Sequence, residues 1–140
     1  PARHGSQRGL SDRNAVLWGG YVLNGPSGSV FFAGDTAFAP HFAEIQQRLG
    51  APTVALLPIG AYQPRWFMQN IHMDPKDAAR AHQALGANHS VVIHWGTFDL
   101  SDEGRFQPAG ELMLALRRAR VPEAKFVAAE NGQSFLFGTD

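Results

Sequence analysis

The chain has 140 residues, the length of one ordinary domain, and 44% of them are hydrophobic, enough for a real core. Basic and acidic residues number 12 each, so no cationic surplus points to a nucleic-acid or anionic-membrane partner. There is no cysteine, which excludes disulfides, thiolate ligands and a cysteine nucleophile, so any metal must be held by imidazole and carboxylate, a donor set that suits zinc, iron or manganese.

Ala15 to Leu23 reads as a strand, because Val16, Leu17, Trp18, Tyr21 and Val22 are β-prone; Gly19-Gly20 inside it suggest a bulge or a close backbone approach. Asn24-Gly25-Pro26-Ser27-Gly28 is a turn, and Ser29 to Ala33 a second strand, so the two form a hairpin. Pro40 to Leu49 is a helix with Phe42, Ile45 and Leu49 on its apolar face, stopped by Gly50. Val54 to Pro58 is a short buried strand. Asp74 caps the next helix, Pro75 opens it, and it runs from there to Leu85 before Gly86. Ser90 to Ile93 is a strand and Pro108 to Ala119 a helix with Leu112, Met113 and Leu116 inward. Lys125 to Ala128 and Ser134 to Phe137 are short strands joined at Asn131-Gly132.

Strands alternating with helices predict an α/β layer. Phe31-Phe32-Ala33 and Val91-Val92-Ile93 lack polar alternation, as in strands covered on both faces, yet the helices suffice for one face only. No apolar run reaches the ~20 residues of a membrane span. The opening Pro1-Ala-Arg-His has no initiator methionine and no signal-peptide core, so the sequence reads as a piece of a longer chain.

Two buried strands each end in a candidate metal ligand, Asp35 in Gly34-Asp35-Thr36 and His94 in His94-Trp95-Gly96. Ligands of open α/β sheets bind beyond the carboxyl ends of strands. Strand-end position alone favours reading Asp35 as a turn or cap residue and His94 as a hydrogen-bonded core histidine. His82 lies on the stripe Ala78, His82, Leu85 and reads as a core histidine. His41 and His89 read as solvent-facing or local caps. Trp18, Trp66 and Trp95 read as core or site-wall packing, and Arg117-Arg118-Ala119-Arg120 as a cationic helix end.

The full set of motifs is more specific. It comprises His4, Ser6, Arg8, Asp12-Arg13-Asn14 and Leu17-Trp18-Gly19, then Phe31 to Thr36, Pro58-Ile59-Gly60-Ala61-Tyr62, Pro64-Arg65-Trp66-Phe67-Met68, His72-Met73-Asp74-Pro75 and Ile93 to Phe98. In this order it resembles the N-acyl phosphatidylethanolamine phospholipase D branch of the metallo-β-lactamase superfamily, over nearly the whole chain from His4 to about Phe137.

The resemblance implies the C-terminal half of an αββα sandwich: an α/β fold with one mixed sheet and helices on its outer face, residues 1–140 forming one unit. The His-x-His-x-Asp-His motif of the N-terminal half is absent. The resemblance also implies that His4, Asp35 and His94 are metal ligands, with Asp35 bridging two zinc ions in the full-length parent; other divalent metals suit the same donors. His72 faces the substrate phosphate, hydrogen-bonding or protonating it, so Asp35 and His72 are the catalytic residues. Tyr62, Arg65 and Asp74 support the site or anchor its loops. A two-metal site would supply a hydroxide nucleophile and offset charge on phosphoryl oxygens.

The implied activity is hydrolysis of a phosphodiester in a small-molecule or phospholipid substrate. The alternatives are a lactonase or other ester hydrolase on the same fold, or a non-catalytic fragment. The expected setting is cytoplasmic or peripheral to a membrane, without nucleic acid. The uncovered sheet face is expected to meet the missing N-terminal half or, as a homodimer, a second copy.

Overall fold

A computed structural model describes residues 2–6 and 9–137; Arg8 of the opening motif lies outside them. Five strands form one mixed sheet in sequence order. They are β1 (Tyr21–Gly25), β2 (Gly28–Phe32), β3 (Val54–Pro58), β4 (His89–Ile93) and β5 (Phe126–Val127). The first pair is antiparallel, closed where Gly25 faces Gly28 across Pro26-Ser27; every other pair is parallel. The helices are α1 (His41–Leu49), α2 (Arg65–Met68), α3 (Pro75–Leu85) and α4 (Gln107–Ala119).

The caps of α3 are those the sequence predicts. The Asp74 carboxylate accepts from the Asp77 N–H at 2.7 Å, and Gly86 takes the left-handed conformation (φ 59°) that a side chain would resist. Helices α1, α3 and α4 pack on one face of the sheet. There Phe31, Ala55, Leu57, Val92 and Phe126 meet Phe42, Ala78, Ala81, Leu85, Leu112 and Leu116 in a single core.

The sheet register places Phe32, Leu56 and Val91 side by side on the opposite face. Among the described residues no helix covers that face: Tyr21, Leu23 and Phe32 are exposed, while Val30, Leu56 and Val91 are half-buried. Burial therefore alternates along β2 and β4, and the expectation of strands covered on both faces does not hold within this chain.

Other differences have local causes. Residues 15–20 form no strand, because β2 ends its pairing at Phe32 opposite Tyr21, which leaves Val16 and Leu17 in water. Gly20 still makes the close approach expected of it: a Cβ there would stand 2.3 Å from the Phe32 oxygen. Leu49, in the last turn of α1, overshoots the core and is exposed. Residues 134–137 form no strand, although the turn at Asn131-Gly132 is present, with Gln133 N–H donating to Glu130 O at 3.0 Å. The short helix α2 was not anticipated. No helix of the described residues is long and apolar enough to cross a membrane.

Candidate metal centre

The parallel ladder aims its carboxyl ends at one edge. Ala33 N–H bonds to Leu56 O (3.1 Å) and Ile59 N–H to Ile93 O (3.2 Å), extending the ladder to the point where each chain turns. Asp35 follows β2 and His94 follows β4, and the edge brings their side chains to 3.4 Å, Nε2 to Oδ1. Two donors ~2.1 Å from one tetrahedral ion stand about 3.4 Å apart, so this spacing suits a shared cation. His94 holds a left-handed backbone (φ 60°). Its carbonyl packs so tightly on Gly60 that a Cβ there would come within 2.1 Å, so the chain after β3 needs glycine at that point.

Two further imidazoles complete the cluster. His72 stacks on His94 with centroids 5.2 Å apart and meets His4 edge-on at 5.0 Å. Ligand atoms of His4, Asp35 and His72 all lie within 4.8 Å of one another. His4 Nδ1 is 2.8 Å from the Ile71 carbonyl oxygen. A carbonyl only accepts, so Nδ1 carries the proton and the Nε2 lone pair is free for a cation. The Nδ1 atoms of His72 and His94 are buried without a hydrogen-bond partner among the described residues. Unsatisfied buried nitrogens call for a further donor or acceptor. Burial, reinforced by the neighbouring His94 and His4, pushes the His72 pKa down to about 4, so its ring is neutral and able to coordinate or to hydrogen-bond. Among the described residues, the three groups whose ligand atoms all stand within reach of one shared cation are His4, Asp35 and His72, and His94 adjoins them through Asp35.

Arg65 on α2 supports His72 from behind. Its guanidinium donates to the His72 carbonyl at 2.8 Å, pairs with Asp74 at 3.1 Å and makes a short contact to Asp77. Asp74 thus serves both as the cap of α3 and as a partner of Arg65. Tyr62 is buried, but its hydroxyl donates to Glu111 on α4 at 2.9 Å, so the phenol anchors its loop and does not reach the cluster. Burial and then that hydrogen bond raise its pKa.

Two supporting residues were not singled out in the sequence. Thr36 is fully buried: its hydroxyl accepts from Arg3 N–H at 2.9 Å and donates to Ala37 O at 2.9 Å, and its carbonyl accepts from Met73 N–H at 3.0 Å. It therefore ties the segments carrying His4, Asp35 and His72 together; its place in Gly34-Asp35-Thr36 was the one available signal. Glu103 accepts from the N–H groups of Ala61 (2.6 Å) and Gln63 (2.9 Å) and from the Ser101 hydroxyl (2.7 Å). Burial alone would raise its pKa, but these hydrogen bonds outweigh burial and hold it below the ordinary range. Nothing in the local sequence marks it.

Among the remaining histidines, His82 is the core residue expected, bonded to Ser90 Oγ at 2.8 Å. His41 is not solvent-facing: it is buried, with its ring 4.2 Å from that of Phe42. His89 opens β4 and lies under Phe137, its Nδ1 buried without a hydrogen-bond partner among the described residues. Trp18 stands edge-on to His4 as a site wall, whereas Trp66 is exposed and walls nothing.

Residues 1–95 match the β-lactamase superfamily domain. The chain belongs to the metallo-β-lactamase superfamily. It is 38% identical over 136 residues to N-acyl-phosphatidylethanolamine-hydrolyzing phospholipase D 1 of Caenorhabditis elegans, covering 95% of this chain and 38% of that one. It is 38% identical over 119 residues to the mitochondrial protein of that description in Saccharomyces cerevisiae, covering 82% and 25%. Igni18, a metallo hydrolase from the archaeon Ignicoccus hospitalis, superposes with a TM-score of 0.68 at 26% identity, covering all of this chain and 52% of that one. The chain thus spans between a quarter and about half of these relatives' lengths. It is a member of a family of metal-dependent hydrolases, with the expected mixed α/β sheet.

Proposed function

We propose that the full-length protein is a zinc-dependent hydrolase that cleaves a phosphodiester of N-acyl phosphatidylethanolamine or a related lipid-like substrate. The observation that carries this reading is the convergence of His4, Asp35, His72 and His94 at one sheet edge. Likeness to the worm and yeast phospholipases supports the choice of bond. His4, Asp35 and His94 would hold the metal, which when bound supplies Lewis acidity and lowers the pKa of water. The Ile71 carbonyl fixes the His4 tautomer, and Arg65 fixes the peptide of His72. The neutral His72 ring is placed to hydrogen-bond the substrate phosphate. The bare sheet face is covered by the N-terminal half of the protein or by a second copy of the chain.

A second reading puts His72 in the metal shell, because its ligand atom lies as close to His4 and Asp35 as a shared ion requires. Metal analysis beside kinetics on the full-length protein separates the two. Asp35→Ala should lose both zinc and hydrolysis of an aryl phosphodiester. His72→Ala should keep zinc and lose turnover; loss of zinc there moves His72 into the shell. Faster hydrolysis of an acyl lactone than of the phosphodiester would overturn the proposed substrate class.

A further inference from the structure

The loop between β3 and α2, residues 59–64, runs from one member of the cluster to another. At its start Gly60 lies against the His94 carbonyl. At its far end the Gln63 side chain accepts from the Arg65 N–H at 3.2 Å, at the root of the helix whose guanidinium holds the His72 carbonyl. Between these points Ala61 takes a left-handed backbone (φ 59°), which its Cβ resists. Such a conformation persists only where the surroundings over-determine it. Here the determinant is Glu103, which reaches across from the segment between β4 and α4. Its Oε1 accepts from the Ala61 N–H at 2.6 Å and the Ser101 hydroxyl at 2.7 Å, and its Oε2 from the Gln63 N–H at 2.9 Å. Three donors converging on one side chain call for a group that only accepts. An ionised carboxylate offers about four lone-pair sites, whereas an amide would turn its own N–H groups toward one of those donors.

We infer that Glu103 is a positioning residue of the centre: by gripping the backbone at residues 61–63 it holds Ala61 in its turn, and so fixes His94 at one end of the loop and His72, by way of Arg65, at the other. The rings of His72 and His94 stack with centroids 5.2 Å apart, and that spacing is what the grip sets. Thr36 ties together the segments of His4, Asp35 and His72, and Glu103 adds that of His94. The placement of the two rings stands on these contacts alone, whereas the effect on turnover rests on the phosphodiester reading.

The test follows the histidine ring protons of the metal-free full-length protein by NMR and, in the zinc-loaded protein, hydrolysis of an aryl phosphodiester. Glu103→Gln should shift the ring signals of His72 and His94 and leave in place those of His82, which is bonded to Ser90 in the core. Partners that orient the side chains of a metal site are worth about 10–100-fold. Acting one link further away, Glu103→Gln should lower kcat by about tenfold at unchanged zinc content. Adding Ala61→Gly, which accepts the left-handed turn without help, should return both ring signals and recover most of kcat. Unmoved signals at His72 and His94, equal shifts at His82, unchanged kcat, or no recovery on adding Ala61→Gly would each overturn the inference. Where Glu103→Gln alone does not fold, the double variant decides: it should fold with the parent's ring signals, and its failure to do so would overturn the inference too. If the ring signals move and recover as expected while the parent itself leaves the phosphodiester intact, the grip stands and the phosphodiester reading fails.

Discussion

Replacing Thr36 by valine keeps the shape of a fully buried side chain and removes one hydroxyl. That hydroxyl satisfies the Arg3 N–H and the Ala37 carbonyl, each at 2.9 Å. Leaving a buried donor unsatisfied costs about 1–3 kcal/mol. For a chain of this size the cost corresponds to a fall in Tm of about 3–10 °C. A general loss of stability would not distinguish a strut of the metal centre from any other core residue, so the decisive readout is metal affinity by chelator competition. Arg3 precedes His4, and partners that orient ligands in this way are worth about 10–100-fold in affinity. Thr36→Val should therefore bind zinc at least about tenfold more weakly in the folded protein. Thr36→Ser, which restores the hydroxyl without the methyl, should recover affinity but only part of the Tm. Unchanged zinc affinity in the folded valine variant, or no recovery with serine, would refute the argument.

Three more outcomes follow from the packing. Arg65→Lys keeps a charge but cannot reach the His72 carbonyl, Asp74 and Asp77 together. Burial and Asp74 already hold the Asp77 carboxyl above its ordinary range despite Arg65 and Arg80, so urea denaturation should show a loss of about 2 kcal/mol, between the values for exposed and buried pairs. His82 is held neutral chiefly by burial, with His89 and Lys125 adding to it. Its folded pKa lies below its unfolded one, so its contribution is full above about pH 6.5 and is lost as pH falls through the depressed value. His82→Gln should flatten the decline in urea midpoint between pH 8 and pH 5.5. The bare sheet face predicts that this chain alone runs above 15.2 kDa by light scattering and binds an apolar dye; a monodisperse monomer without dye binding would show the face to be tolerated in water.

What the sequence disclosed was whatever is encoded locally. Helix α3 is framed by Asp74, Pro75 and Gly86, and its limits were readable to the residue. Strand β3 was bounded correctly because four apolar residues, Val54 to Leu57, close on Pro58. Residues 15–20 misled because β propensity says nothing about whether a partner strand exists, and β2 offers none beyond Tyr21. The strand-end positions of Asp35 and His94 pointed to the site because a parallel ladder carries its carboxyl ends to one edge. Glu103 was invisible for the opposite reason: its partners are backbone N–H groups some 40 residues away, which any sequence would supply. His41 was misjudged because a helix start is usually wet, whereas here Thr36 and Phe42 enclose it.

The described residues before β1 form no helix or strand, yet they are sewn to the body: Ala37 N–H bonds to Arg3 O at 2.7 Å, the Arg3 guanidinium to Asn70 at 2.5 Å, and His4 to Ile71. A cation gripping His4 together with Asp35 would turn that seam into a clasp. It would fasten the leading segment to a sheet whose strands come later in the chain. Occupancy at 100 times the Kd adds about 2.7 kcal/mol to whatever conformation the cation requires. Loading the centre would then register far from it, as slower amide exchange and slower proteolysis around Leu10 and Leu17, side chains that stand fully in solvent.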